Sequence, residues 1–180
     1  MITLNTQRLL MRPWQESDMD TLYELAKDPQ VGPDCGWVPH QNKEESQYVL
    51  TKLLMNPYTW AIVLKETGEV VGDISLMPFG TSNHAKNENE KEIGFWLGRP
   101  YWGKGYMPEA CLRLLEYGFE EKGAERIWCA HHTENHKSAR VQEKCGFRFH
   151  HKKEHVYLRQ LDIYRDAVVN CMTKEDWNHR

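Results

Sequence analysis

No stretch of this 180-residue chain is apolar for long enough to cross a bilayer. The best candidate, residues 53–64, is broken by Asn56 and Pro57 and falls well short of the roughly 20 residues a spanning helix needs. The first twelve residues lack the basic start and apolar centre of a secretion signal. Nor does one sign of charge dominate: 23 Lys and Arg stand against 26 Asp and Glu, a net charge of -3. A mildly acidic chain has no electrostatic footprint for nucleic acid. Five cysteines are an odd number, widely spaced and without a C-x-x-C pair. Reduced thiols in a cytoplasmic protein are the expectation, several of them packed as small apolar groups. Six of the nine histidines cluster at 131–132, 136 and 150–155, but they show neither H-E-x-x-H nor cysteine-paired zinc spacing, so no metal site is expected. No nucleophile elbow G-x-S-x-G occurs either.

The composition that remains is that of an ordinary folded chain, 40% hydrophobic and 27% charged. Its length suits one domain, 1–180, and a chain of this size buries roughly 70% of its extended surface. Period-two and apolar runs predict strands at 8–12, 60–64, 70–76, 92–97 and 126–131, with the turn 66–69 joining a hairpin. Helices are expected from a Ser17 cap to Lys27, from an Asn42 cap to Met55, over 108–122, and from an Asn135 cap to Gly146. Residues 31–41 read as loop, and 81–91 as a polar, mobile surface loop. Segments 147–153, 156–161 and 165–172 read as closing strands. With no repeat and no linker, this order argues for an α+β or mixed α/β fold around a central sheet.

The strongest chemical signal follows the strand at 92–97. Gly98, Gly103 and Gly105 punctuate a loop that opens directly into a helix, with Lys104 between the last two. Glycines let backbone N–H groups approach a ligand, and a helix start adds unpaired donors and partial positive charge, which together make a phosphate cradle. The same residues are also consistent with a tight strand-to-helix turn that binds nothing. Residues 98–104 satisfy G-x-x-x-x-G-K, but Gly105 replaces the Ser or Thr that a P-loop uses on magnesium. A dinucleotide fingerprint needs a third glycine where Pro108 stands. Acyl-coenzyme A remains, since its pyrophosphate needs a backbone cradle and no metal.

Residues 92–110, EIGFWLGRPYWGKGYMPEA, resemble the coenzyme A motif of the GNAT N-acetyltransferases in their ribosomal-protein (RimJ/RimL-like) branch. Residues 135–147, NHKSARVQEKCGF, are similar to that branch's next motif, and residues 6–18 and 166–177 to its first strand and its tail. The resemblance implies a mostly antiparallel sheet flanked by helices, with a V-shaped split between two neighbouring parallel strands, at 92–97 and 126–131. It implies an acetyl-CoA-dependent enzyme that moves an acetyl group to a primary amine, either a protein N-terminus or a small molecule. A metal, nucleic acid or membrane has no part in it, and a homodimer is left open. A coenzyme A-binding module without turnover is the alternative from another class.

By that resemblance, the backbone at Trp102, Gly103, Lys104, Gly105, Tyr106 and Met107 holds the pyrophosphate, with Trp96 alongside. The N–H of Leu97 or Gly98 polarises the acetyl carbonyl, as an oxyanion hole does. Asn135 bonds the pantetheine arm or simply caps its helix, and Ser138 helps protonate the leaving thiolate. Trp37 and Tyr101, with Trp96, are the candidate acceptor wall. Two positions depart from the family pattern: Pro100 where Gln or Arg is common, and Gln142 where many members carry a tyrosine acid. For the base, Glu92 comes first, ahead of Asp73 and His131. Deprotonating a lysine at neutral pH costs about 4.6 kcal/mol and an α-amine only about 1.1, so a water relay to a carboxylate suffices for the latter.

Overall fold

The computed structural model describes residues 2–180. Eight strands form one sheet: β1 (Leu4–Asn5), β2 (Leu9–Pro13), β3 (Thr59–Leu64), β4 (Val70–Pro78), β5 (Glu90–Leu97), β6 (Arg126–His132), β7 (Arg148–Leu158) and β8 (Ile163–Thr173). Their order is β1-β2-β3-β4-β5-β6-β8-β7, and β5 with β6 is the parallel pair in an otherwise antiparallel sheet. The helices are α1 (Met19–Ala26), α2 (Gly32–Cys35), α3 (Lys43–Val49), α4 (Tyr106–Glu116), α5 (His136–Cys145) and α6 (Lys174–Asn178).

Apolar side chains leave both faces of the sheet. Leu9, Met11, Trp60, Ile62, Ile74 and Ile93 pack against Cys111, Leu114 and Leu115 of α4. Ala61 and Val63, pointing the other way, pack with Trp14, Leu22 and Ala26 around α1. β3 is therefore buried on both faces, which is why its sequence is a continuous apolar run instead of an alternating one. α3 starts as its sequence implies, with the Asn42 side chain accepting the Glu45 N–H at 2.8 Å.

Several elements differ from the sequence expectation for identifiable reasons. Asp18, not Ser17, fixes the entry to α1: its carboxylate accepts the Gln15 N–H at 2.9 Å and both Arg12 nitrogens at 2.7 and 2.8 Å. A single helical turn, α2, forms within the expected loop 31–41, with Pro33 in its first turn and Gly36 ending it. α4 begins two residues early, because Gly105 adopts the left-handed cap that releases the chain into the helix. β5 also begins early, at Glu90. The loop before it folds inward, since buried Glu92 needs donors that Ser82 and Asn83 supply. The two expected strands 147–153 and 156–161 are one strand, β7, interrupted by a bulge between Phe149 and His151 and another between Lys153 and Val156, which holds His155 at a φ of 52°.

Candidate active site

The parallel pairing of β5 with β6 covers Glu90, Lys91 and Glu92 against Arg126, Ile127 and Trp128, and goes no further. Beyond Glu92, β5 stays paired with β4 as far as Leu97, and β6 stays paired with β8 as far as His132. The two strands therefore diverge into a V with Glu92 at its apex. Gly98 donates its N–H to Val71 of β4 at 2.9 Å. Alternation along β5 then turns the N–H groups of Leu97 and Phe95 to the open side, into the split.

A cavity of about 390 Å³ occupies one side of the split. The connection from β5 to α4 walls it. The Trp102 indole donates to the Leu97 carbonyl at 2.8 Å and pulls the loop back over the strand end. Gly103 and Gly105 take φ of 75° and 79°, which only glycine adopts without strain. The first helical bond of α4 runs from Glu109 N–H to Gly105, so the N–H groups of Tyr106 and Met107 have no helical partner. Across the cavity, α5 presents Lys137, Arg140 and Lys144.

A second cavity, about 530 Å³, lies on the other side and is far more polar. Glu92, His84, His131 and Lys153 are among its walls. The Glu92 Oε2 accepts the Ser82 hydroxyl at 2.7 Å and the Asn83 N–H at 2.8 Å, while Oε1 faces the His84 ring at 3.6 Å. The Lys153 ammonium lies 3.3 Å from His84 Nδ1. Burial holds the imidazoles of His84, His131 and His132 below their ordinary value, which favours the neutral form of each. Asp34, Cys35, Phe95, Asn135 and Ser138 line both cavities and mark their junction. The Ser138 hydroxyl accepts from the Gln142 amide at 3.2 Å, which leaves its own proton free for the junction.

The family model for the acetyltransferase (GNAT) domain matches residues 8–148. The chain belongs to the GNAT acetyltransferase family. It is 30% identical over 178 residues to the uncharacterized N-acetyltransferase p20 of Bacillus licheniformis, covering 94% of this chain and 97% of that protein. It is also 30% identical over 189 residues to the FsC-acetyl coenzyme A-N(2)-transacetylase of Aspergillus fumigatus, covering 97% of this chain and 77% of that one. Among solved structures, a GNAT-family acetyltransferase from Bacillus anthracis superimposes with a TM-score of 0.85 at 25% identity, over 97% of this chain and 99% of that one. The chain is thus an N-acetyltransferase at the level its family defines, and GNAT enzymes use acetyl-CoA.

Within this GNAT fold, most of the residues singled out from sequence gather at the split. Trp96, Leu97, Trp102, Gly103, Gly105, Tyr106 and Met107 line the first cavity, and Glu92 lines the second. Others are placed differently. The Gly98 N–H is committed to β4, so of the two candidate donors to an acetyl carbonyl only Leu97 faces the split. Lys104 is exposed, with its ammonium 5.6 Å from the Tyr101 ring. Tyr101 itself lines the cavity beside the glycine loop, away from Glu92. Trp37 lines neither cavity; its ring packs edge-on against Trp96 at 5.9 Å and against His40. Asn135 is an N-cap whose Oδ1 accepts the Ser138 N–H and whose Nδ2 donates to the Asp34 carbonyl, so its side chain is already engaged. Asp73 is buried behind the site, its carboxylate accepting the Trp14 indole at 2.9 Å.

Sequence reasoning missed His84, Lys153 and the α5 cations. Residues 137, 140 and 144 sit at the i, i+3, i+7 spacing of one helix face, a signal present in NHKSARVQEK. His84 and Lys153 carried no such signal. Among the described residues, no group of three His, Cys, Asp or Glu is gathered as metal ligands are, and no helix is long and apolar enough to cross a membrane.

Proposed function

We propose that this protein acetylates a primary amine by direct attack on acetyl-CoA within a ternary complex, the apolar cavity taking the cofactor and the polar one the acceptor. One observation carries this reading. A glycine cradle, an unpaired strand edge and a carboxylate lie in series along a single split, with Ser138 at the junction of its two cavities. The first cavity suits acetyl-CoA: free N–H groups at Tyr106 and Met107 face a pyrophosphate, the α5 cations supply positive charge, and the open edge of β5 offers partners to the pantetheine amides. Acetyl-CoA supplies the activated thioester when bound.

This chain's residues do the rest. The Leu97 N–H donates to the acetyl oxygen, where negative charge grows as the amine nitrogen bonds to carbon. Glu92 takes a proton from the acceptor ammonium through water before attack. Its Oε2 is saturated by Ser82 and Asn83, so the proton arrives at Oε1, on the side of His84. As the C–S bond breaks, the nitrogen, cationic after attack, releases its second proton, and the departing sulfur takes one from the Ser138 hydroxyl, which that released proton restores through water. Buried Gln142 stands where many relatives carry a tyrosine acid; it orients Ser138, and Asn170 in turn holds it at 2.7 Å. A thiolate with a pKa near 8.5 leaves without a stronger acid.

An α-amine is the favoured acceptor because its deprotonation is the cheaper one, whether it ends a protein or belongs to a small molecule. The Aspergillus fumigatus relative is named for acetyl transfer from coenzyme A to an N(2) nitrogen, which supports an amine acceptor. Calorimetric titration with acetyl-CoA, with ATP and NADH as controls, tests the cofactor half: magnesium-independent binding of acetyl-CoA alone is expected. Mass spectrometry of a panel of α-amine peptides, amino-acid derivatives and polyamines tests the acceptor half. Acetylation of no amine by a protein that binds acetyl-CoA overturns the catalytic reading and leaves a binding module.

A further inference from the structure

An acidic side chain in the first turn of a helix that receives a pyrophosphate is electrostatically misplaced. Glu109 occupies that position in α4. A carboxylate there stabilises the helix by itself, but competes with an anionic ligand for the same positive end. The fold turns it aside. Glu109 Oε1 accepts the Thr6 hydroxyl at 2.6 Å and the Arg8 N–H at 2.8 Å, and Oε2 accepts Arg8 Nε at 2.7 Å. Burial pushes this carboxyl up, and the Thr6 and Arg8 donors outweigh it and hold the group below the ordinary carboxylate range.

Arg8 makes two further contacts, both with the cradle. Its Nη1 donates to the Lys104 carbonyl at 3.0 Å, and its guanidinium lies 4.6 Å from the centre of the Tyr106 ring. The carbonyl contact has a geometric consequence. In a planar trans peptide the carbonyl of Lys104 and the N–H of Gly105 point in opposite directions. Holding that carbonyl toward Arg8 turns the Gly105 N–H the other way, and Gly105 lines the first cavity. The two left-handed glycines beside it have no side chains to fix this orientation.

We infer that Arg8 is a positioning residue for the cofactor: it cancels the charge of Glu109 beside the pyrophosphate and aims the Gly105 N–H into the cavity. The inference rests on the acetyl-CoA reading above. It requires that Arg8 matter for the phosphate end of the ligand, and matter most while Glu109 keeps its charge.

The test compares the wild-type protein with Arg8→Gln, Glu109→Gln and the double variant, by calorimetric affinity for acetyl-CoA. S-acetylpantetheine, which has no pyrophosphate, is titrated in parallel by NMR chemical shift. Arg8→Gln should weaken acetyl-CoA about tenfold, Glu109→Gln should bind no more weakly than wild type, and the double variant should recover to within about threefold. Acetylpantetheine affinity should be unchanged throughout. Arg8→Lys, which keeps the charge without the fork, should lose about threefold at most and serves if Arg8→Gln does not fold. A brace that only ties β2 to α4 would give a different pattern: Glu109→Gln and the double variant as weak as Arg8→Gln, or acetylpantetheine lost in step. Either pattern, or an unchanged Arg8→Gln, overturns the inference. Failure of the wild-type protein to bind acetyl-CoA would instead remove the cofactor reading on which it stands.

Discussion

The two cavities of the split are built by opposite means. The first is built around one continuous stretch of chain, the β5 end, glycine loop and helix start of residues 95–108, where backbone donors sit among apolar side chains and α2 and the face of α5 close the wall. The second is made of side chains from the β4–β5 loop, β5, β6 and β7, which meet only in the folded chain. Backbone recognition suits a ligand whose phosphates and amides never change. Side-chain recognition suits one that varies between relatives, since a wall of His84, His131 and Lys153 changes by substitution without disturbing the sheet. The two walls should therefore be separable by mutation.

The sharpest way to break that comparison is Glu92→Gln. Turnover of an α-amine at neutral pH should fall by about 10²–10³-fold while acetyl-CoA affinity stays within about twofold. A matching loss of cofactor affinity, read by calorimetry, would show the walls to be one unit. The reciprocal change is Gly105→Val. A β-branched residue is strained at φ 79°, and its Cβ would lie 3.4 Å from Arg8 Nη2, so acetyl-CoA affinity should drop about fiftyfold. Turnover at saturating acetyl-CoA should fall much less.

Asp73 gives a control that belongs to neither wall. Burial raises its carboxyl from 3.8 to about 7, and the Trp14 indole only partly offsets this. A carboxyl with a raised folded pKa costs nothing below about pH 4, costs progressively more as pH rises, and reaches its full cost above about pH 7. Asp73→Asn keeps an acceptor for Trp14 and should stabilise the protein by on the order of 2 kcal/mol at pH 8, with no gain near pH 3.5. Thermal unfolding across that range, paired with assays of turnover, measures it. A large loss of turnover with the gain in stability would place Asp73 in the proton path after all. The smallest expected effect is at the junction: Ser138→Ala should lower turnover about tenfold with little change in acceptor KM. No change would assign the thiolate proton to water.

How much of this was legible in sequence follows the same division. The glycine loop announced itself because left-handed backbone and close approach demand glycine locally, and local demands leave local signals. Glu92 was legible as a strand residue at the motif's edge. At Trp37 aromatic size reports burial as readily as a binding wall, and the ring fills space against Trp96, outside both cavities. Asp18 was overlooked as the cap because its role depends on Arg12 across a turn. His84 sat in a stretch whose polar composition reads as a surface loop; only the buried carboxylate beneath it explains why that loop turns inward.

The sequence alone thus determined most of the longer strands and helices, the glycine turn after β5 and, through two motifs in order, the family, while β1, α2 and α6 left no readable signal. Periodicity, turn chemistry and glycine geometry act over a few residues, so they can be read along the chain. Tertiary structure decided where β5 and β6 part, that Leu97 and not Gly98 faces the gap, that Arg8 reaches Glu109 across 101 positions, and which side chains line the second cavity. Those facts depend on strand register and on packing between distant segments, which local sequence does not encode.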